Sequence, residues 1–198
     1  MKTPDDHKRE TIREIFKKRL KESTVILSPV GIEVNESLDS DFTSASISFD
    51  EKVGAEIKRC NLTESNAKGL VDAIFKILFA NFSSKYSSIA NIQLKNYQVK
   101  PIFNSANFST YTDAKTTVTI TSEIKNHGLV DFSSTSRSII YSTLCASLKT
   151  FQFYINCERT FDILSRVLVD AKGRGRPDIE EACIRDMTFL TSMNTYEQ

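Results

Sequence analysis

The chain has 198 residues, 40% of them hydrophobic, enough for one full core or two small ones, which excludes a disordered segment. Its 26 basic and 25 acidic residues leave a net charge of +1, so no global field draws in nucleic acid or an anionic membrane. No run approaches the roughly 18 apolar residues of a membrane span, and the opening MKTPDDHKRE is charged where a secretory signal is apolar. A cytoplasmic protein with neither nucleic-acid nor membrane partners is expected.

Residues 7–22, HKRETIREIFKKRLKE, place Ile12, Ile15, Phe16 and Leu20 on one helical face. Their basic residues alternate with Glu10, Glu14 and Glu22, the pattern of a solvated helix surface. The period then changes to two: 24–34, 42–49 and 52–60 read as strands, with Ala45, Ile47 and Phe49 alternating with serines. Next, residues 65–82, SNAKGLVDAIFKILFANF, return to helical spacing through Leu70, Val71, Ile74, Phe75, Leu78, Phe79 and Phe82. Gly69, one of only six glycines, stands at the entrance of that helix, where glycine costs about 1 kcal/mol relative to alanine unless the backbone needs it.

The order strand, strand, strand, helix then repeats. Residues 92–102 echo the first strand, with Leu94, Tyr97 and Val99 set 67 residues after Leu27, Val30 and Ile32. Residues 112–124 echo the second at an offset of 69, and a third strand falls near HGLVDFSS at 127–134. The helix RSIIYSTLCASLKTFQF carries Ile139, Ile140, Leu144, Leu148 and Phe151, 69 residues after their counterparts in the first helix. The expected fold is α+β, with two pseudo-symmetric βββα units covering each other's apolar faces. From Asn156 the repeat ends, and two further amphipathic helices, through Phe161, Leu164, Val167 and Leu168 and through Ile179, Cys183, Met187 and Leu190, flank the GRGRP turn. The organisation is thus an N-terminal helix (1–23), a doubled domain (24–155, units 24–86 and 92–155) and a helical tail (156–198).

Little in the sequence points to catalysis. The four cysteines have no CxxC spacing and read as buried free thiols, and His7 and His127 have no ligand cluster around them, so neither a metal nor a cofactor is expected. Phosphate-cradling glycine motifs are missing, and GRGR does not lead from a strand into a helix. Phe108, Tyr111 and Tyr97 read as packing residues, since no basic cluster interleaves them. The chain by itself is expected to have no catalytic residues and no turnover.

Read together, GLVDAIFKIL, IQLKNYQVKPI, TDAKTTVTIT and SIIYSTLCASLKTF resemble the C-terminal regulatory domain of the 2-isopropylmalate synthase and citramalate synthase family. The matching positions are Gly69, Val71, Asp72 and Ala73, then Leu94, Tyr97 and Val99, then Asp113, Ala114 and Val118, and lastly Ile139 and Ile140, covering about 24–155. The family's preceding glycine and its proline are replaced by Ala67 and Leu70, an aspartate by Ser138, and a glycine-rich approach by DFSSTSRS. The resemblance implies a homodimer that binds leucine or isoleucine at its helix entrances and restrains an acyl-CoA-condensing barrel, attached or separate. Gly69, Leu70, Val71, Asp72, Ser138 and Ile139 are the effector-binding residues it implies, the ligand carboxylate meeting the positive end of a helix. A second expectation is an assembly module without ligand that dimerises and docks to a partner protein through the apolar faces of its terminal helices.

Overall fold

The computed structural model describes residues 4–36, 39, 41–102, 114–124 and 128–192. Phe108, Tyr111, Asp113 and His127 lie outside the described residues. The first helix, α1 (Pro4–Arg19), begins three residues before the expected start, with Pro4 at a first-turn position where its missing N–H costs nothing. It ends where Lys21 takes a positive φ of 50° and opens a 3-10 turn, Lys21–Ser23. Ile12, Ile15, Phe16 and Leu20, the face marked by periodicity, are all buried.

Strands β1 (Val25–Glu36), β2 (Thr43–Val53) and β3 (Glu56–Ala67) form an antiparallel sheet in the order β1-β2-β3. The expected third strand at 52–60 straddled a hairpin. Val53 pairs with Glu56, and Gly54 holds φ 63° in the two-residue loop between them, the backbone that a tight hairpin demands. β3 therefore starts later and runs on to Ala67. It covers residues 65–67, where the helical spacing predicts the start of the following helix, α2 (Leu70–Phe82). Ala45, Ile47 and Phe49 turn inward from β2, while Ser46 and Ser48 face outward to bond Thr63 and Asn61 on β3.

The second unit repeats the plan with β4 (Ile92–Ile102), β5 (Lys115–Ile124) and β6 (Val130–Ser136), in the order β4-β5-β6. Its helix, α3 (Ile139–Gly173), does not stop near 155. It continues for 35 residues, so the expected boundary at Asn156 falls inside one unbroken helix. Tyr154, Ile155, Asn156 and Cys157 are all buried, and no proline or glycine interrupts the segment before Gly173. After a turn in which Gly175 takes φ 61°, α4 (Pro177–Thr191) starts with Pro177 in its first turn and packs back on α3 and α1.

The two units meet at Phe151 of α3, whose ring lies 5.4 Å from that of Phe75 and 5.3 Å from that of Phe79, both edge-on. Each such pair adds about 0.5–1.5 kcal/mol beyond the area it buries. The strand ladders also correct the spacing of the repeat. β1 bulges at Val30, between Pro29 and Gly31, and β4 at Lys95, between Leu94 and Asn96. The bulges therefore equate Ile32 with Tyr97 and Val34 with Val99, an offset of 65 where 67 was expected. Opposite them, Ile47 matches Ile120, an offset of 73. Only the helices keep 69, the distance between their N-caps Gly69 and Ser138.

The terminal helices do not wait for a partner to cover them. Phe16 of α1 packs on Phe153 of α3 at 5.7 Å between ring centroids. Cys183 and Leu190 of α4 are fully buried, with Ile179 and Met187 packed beside them. Arg19 donates twice to Asp186 Oδ2, at 3.1 and 2.6 Å, tying α1 to α4. The residues that periodicity marks on these helices are thus buried or partly buried within the chain, while Val169 of α3 and Ile184 and Phe189 of α4 stay exposed.

Candidate functional site

The two helix entrances differ in how they meet their unpaired N–H groups. At α2, Gly69 is the N-cap at φ 149°, a conformation that L side chains rarely adopt, and it supplies no side-chain cap. A Cβ built there would meet nothing within 4 Å, so the backbone is open to approach. Close packing is not the reason for this glycine; its dihedral angle is. Leu70 and Val71 are half-buried and pack against the core.

Asp72 already places a carboxylate at this entrance. Its Oδ2 accepts from the Lys68 N–H at 2.9 Å and pairs with Lys76 Nζ at 3.0 Å, while Lys76 also donates to the Asn66 carbonyl. The Lys68 N–H, and after it Lys76, hold the Asp72 carboxyl below the usual aspartate range, against a smaller opposing effect of burial. A ligand carboxylate arriving at Gly69 would find an anion in residence.

At α3 the entrance is closed by serines. Ser138 Oγ accepts from the Tyr141 N–H at 3.2 Å, Ser136 Oγ accepts from the Ser138 N–H at 3.1 Å, and the hydroxyls of Ser136 and Ser142 lie 2.7 Å apart. This is an N-cap of the usual kind, and it gives the DFSSTSRS stretch a local structural role. Ile139, next in line, is 45% exposed. No hydrogen bond, ion pair or ring contact among the described residues joins 69–72 to 138–139. The helices meet instead at Phe151, about 18 Å along α3 from Ile139 at 1.5 Å per residue. The structure does not bring the six expected residues into one site.

Two groupings escaped the sequence reading. Along one edge of β1, Asn156 Oδ1 accepts from the Val25 N–H and Asn156 Nδ2 donates to the Val25 carbonyl, both at 2.9 Å, while Gln152 Oε1 accepts from the Leu27 N–H at 2.9 Å. Two carboxamides one helical turn apart thereby take the place of a neighbouring strand. Elsewhere, Arg9, Arg13 and Lys17 of α1 converge with Lys149 of α3 around a cavity. The first three belong to the basic residues that read as a solvated helix surface, and nothing local could have added a lysine so far away in sequence.

The corresponding flank of the second sheet has no such cover. Leu94 (41% exposed) and Val99 (38%) lie on the same side of the sheet as the buried Ser122 and Val118 opposite them, yet remain in solvent. Tyr97 Oη lies 2.9 Å from Thr143 Oγ1, which sets the first turns of α3 beside this row. Ile139, Ile140 and Tyr141, in the first turn of α3, are all more than a third exposed. All four cysteines are buried. No helix among the described residues is long and apolar enough to cross a membrane. No known protein-family model matches the chain, and no curated protein matches it in sequence.

Proposed function

We propose that this chain is a self-associating regulatory-type module that dimerises about a two-fold axis through the open flank of its second unit. The observation that carries the proposal is the unequal treatment of two equivalent strands. Gln152 and Asn156 of α3 fasten the outer edge of β1, while on β4 only Ile92, the counterpart of Leu27, is buried, and Leu94 and Val99 are each more than a third exposed, as are Ile139 and Ile140 at the start of α3. Exposed apolar groups gathered in one place favour association, and a two-fold arrangement is the commonest way to satisfy a self-complementary patch. The partner covers the face of β4 and does not extend its ladder, because Lys95, Lys100, Pro101 and the bulge at Lys95 all discourage edge pairing. The resemblance to the regulatory domain of 2-isopropylmalate and citramalate synthases fits a dimeric role with no turnover of its own, in the cytoplasm. Sedimentation equilibrium at micromolar protein tests the proposal. A dimer is expected, and a monomer throughout would end it.

A second reading, leucine or isoleucine as effector, is favoured by the open backbone at Gly69. Its test must respect Asp72. Gly69→Asp would also force a side chain into φ 149°, so a loss of binding would be ambiguous. Asp72→Asn is cleaner: it removes the resident charge and should tighten amino-acid binding severalfold if the ligand carboxylate comes to this helix end. Calorimetric titration of the unaltered protein with leucine and isoleucine up to millimolar concentration decides first. Without heat, the module works through assembly alone.

A further inference from the structure

The N-terminal helix contributes three cations to the cavity at evenly spaced positions. Arg9, Arg13 and Lys17 stand four residues apart on α1, about 6 Å per step along the helix axis. A cavity of about 350 Å³ is lined by Arg13, Phe16, Lys17, Lys149, Gln152 and Phe153 among others, and an adjoining one of about 600 Å³ shares Arg13, Phe132 and Lys149 and adds Arg9, Asp131 and Ser133. Four cationic side chains thus line two adjoining cavities, whose lining includes one carboxylate-bearing residue. That carboxylate, Asp131, accepts from Thr121 Oγ1 at 2.6 Å, and Arg9 donates to the Asp131 backbone carbonyl. Lys149 gives one of its protons to the Ser133 carbonyl at 2.7 Å, which anchors the ammonium at the rim. Gln152 uses its oxygen on the Leu27 N–H, so what it can offer the cavity is N–H donors.

Crowding shows in the protonation of Arg13. Burial first, then the positive charge of Arg9, pull its guanidinium below the usual arginine range, and Glu10 opposes them. An anion between these groups would relieve the repulsion. The apolar wall is provided by Phe16, Phe132 and Phe153, whose rings pack 5.4–5.7 Å apart.

We propose that this cavity binds a phosphorylated small molecule with an apolar or aromatic body, its phosphates held by Arg9, Arg13, Lys17 and Lys149. Arginine forks match phosphate oxygens in pairs, lysine adds point charge, and the volumes fall within the roughly 300–1,000 Å³ of small-molecule sites. A nucleic-acid strand fits less well. The net charge of the whole chain is only +1, and Glu10 and Glu14 share α1 with the cations, so a long polyanion would meet repulsion beyond the cavity.

The test uses ATP, inorganic pyrophosphate and a single-stranded RNA decamer as probes of the full chain, by calorimetry at about 150 mM salt. Saturable ATP binding at micromolar to submillimolar concentration is expected, with pyrophosphate weaker because it lacks the apolar body. Lys17→Gln, on the exposed side of α1, and Arg13→Gln with Lys149→Gln should each weaken ATP by roughly tenfold or more, whereas Lys58→Gln on β3 should change it less than about twofold. Thermal unfolding of each variant checks that the fold is intact, and Lys17→Gln carries the test if the double variant does not fold. No ATP binding at millimolar concentration overturns the proposal. So does binding that Lys17→Gln leaves unchanged, or RNA binding tighter than ATP.

Discussion

β1 and β4 are equivalent edge strands of one repeat, each carrying a bulge in mid-course, and the chain treats them differently. β1 has an outer edge fastened by Gln152 and Asn156 of α3, and its leading residues Val25 and Leu27 are buried. Along β4 only Ile92 is buried, and lysines, a proline and a bulge mark its edge. The difference comes from length: α3 continues far enough past its own sheet to reach the other unit's edge, while α2 ends at Phe82. A doubled sequence therefore need not give doubled packing. Where one helix is longer, one edge is satisfied internally and its counterpart is left open.

Four changes test this contrast. The largest effect is expected at Asn156→Leu, which leaves both the N–H and the carbonyl of Val25 buried without partners. At about 1–3 kcal/mol for each orphaned group, urea denaturation should show a loss of about 3 kcal/mol or more. Leu27→Ala should cost about 2–4 kcal/mol as a core truncation, while Leu94→Ala, at a solvent-exposed position, should cost less than about 1 kcal/mol when measured on the monomer. Equal losses at the two leucines would mean that β4 is buried after all. Ile140→Glu should raise the dimer dissociation constant roughly tenfold or more, by placing a charge in the interface, with little change in monomer stability. Sedimentation of the variant reads this directly.

The smallest effect belongs to Asp72→Asn, at about 0.5–1 kcal/mol, because the carboxylate is half-exposed and partly screened. Its pH dependence has a definite sign. The folded-state pKa lies below the unfolded value, so the contribution is complete above about pH 4 and fades as pH falls through the lowered folded pKa. Wild type and Asp72→Asn should therefore converge in stability towards pH 2.

What the sequence disclosed followed the range of the interaction. Helical faces such as Ile12, Ile15, Phe16 and Leu20 are local periodicities, and every one of these four is buried. The doubled strand order, likewise a matter of neighbouring residues, was readable. Gly54 is a turn signal, but the alternating pattern runs through it and hides the hairpin. The repeat stops matching at Asn156, which suggests the end of a unit there; its partner is Val25, 131 positions away, and only the fold explains it. At the candidate site, the caps at Gly69 and Ser138 were legible as helix starts. That Asp72 occupies one and serines close the other depends on side-chain directions that no spacing reveals.

The fastening of β1 also sets the order of events during synthesis. Val25 emerges from a ribosome 131 residues before Asn156, and at about 5–20 residues per second that gap lasts roughly 7–26 s. Once Phe82 has emerged, the first sheet has its strands and helix but an unfastened edge for the 74 residues up to Asn156, roughly 4–15 s at that rate, and Phe16 of α1 has yet to meet Phe153. The nascent chain thus carries an open β edge and an uncovered apolar helix face for many seconds, the state that holding chaperones recognise and that slow codons after residue 82 would prolong.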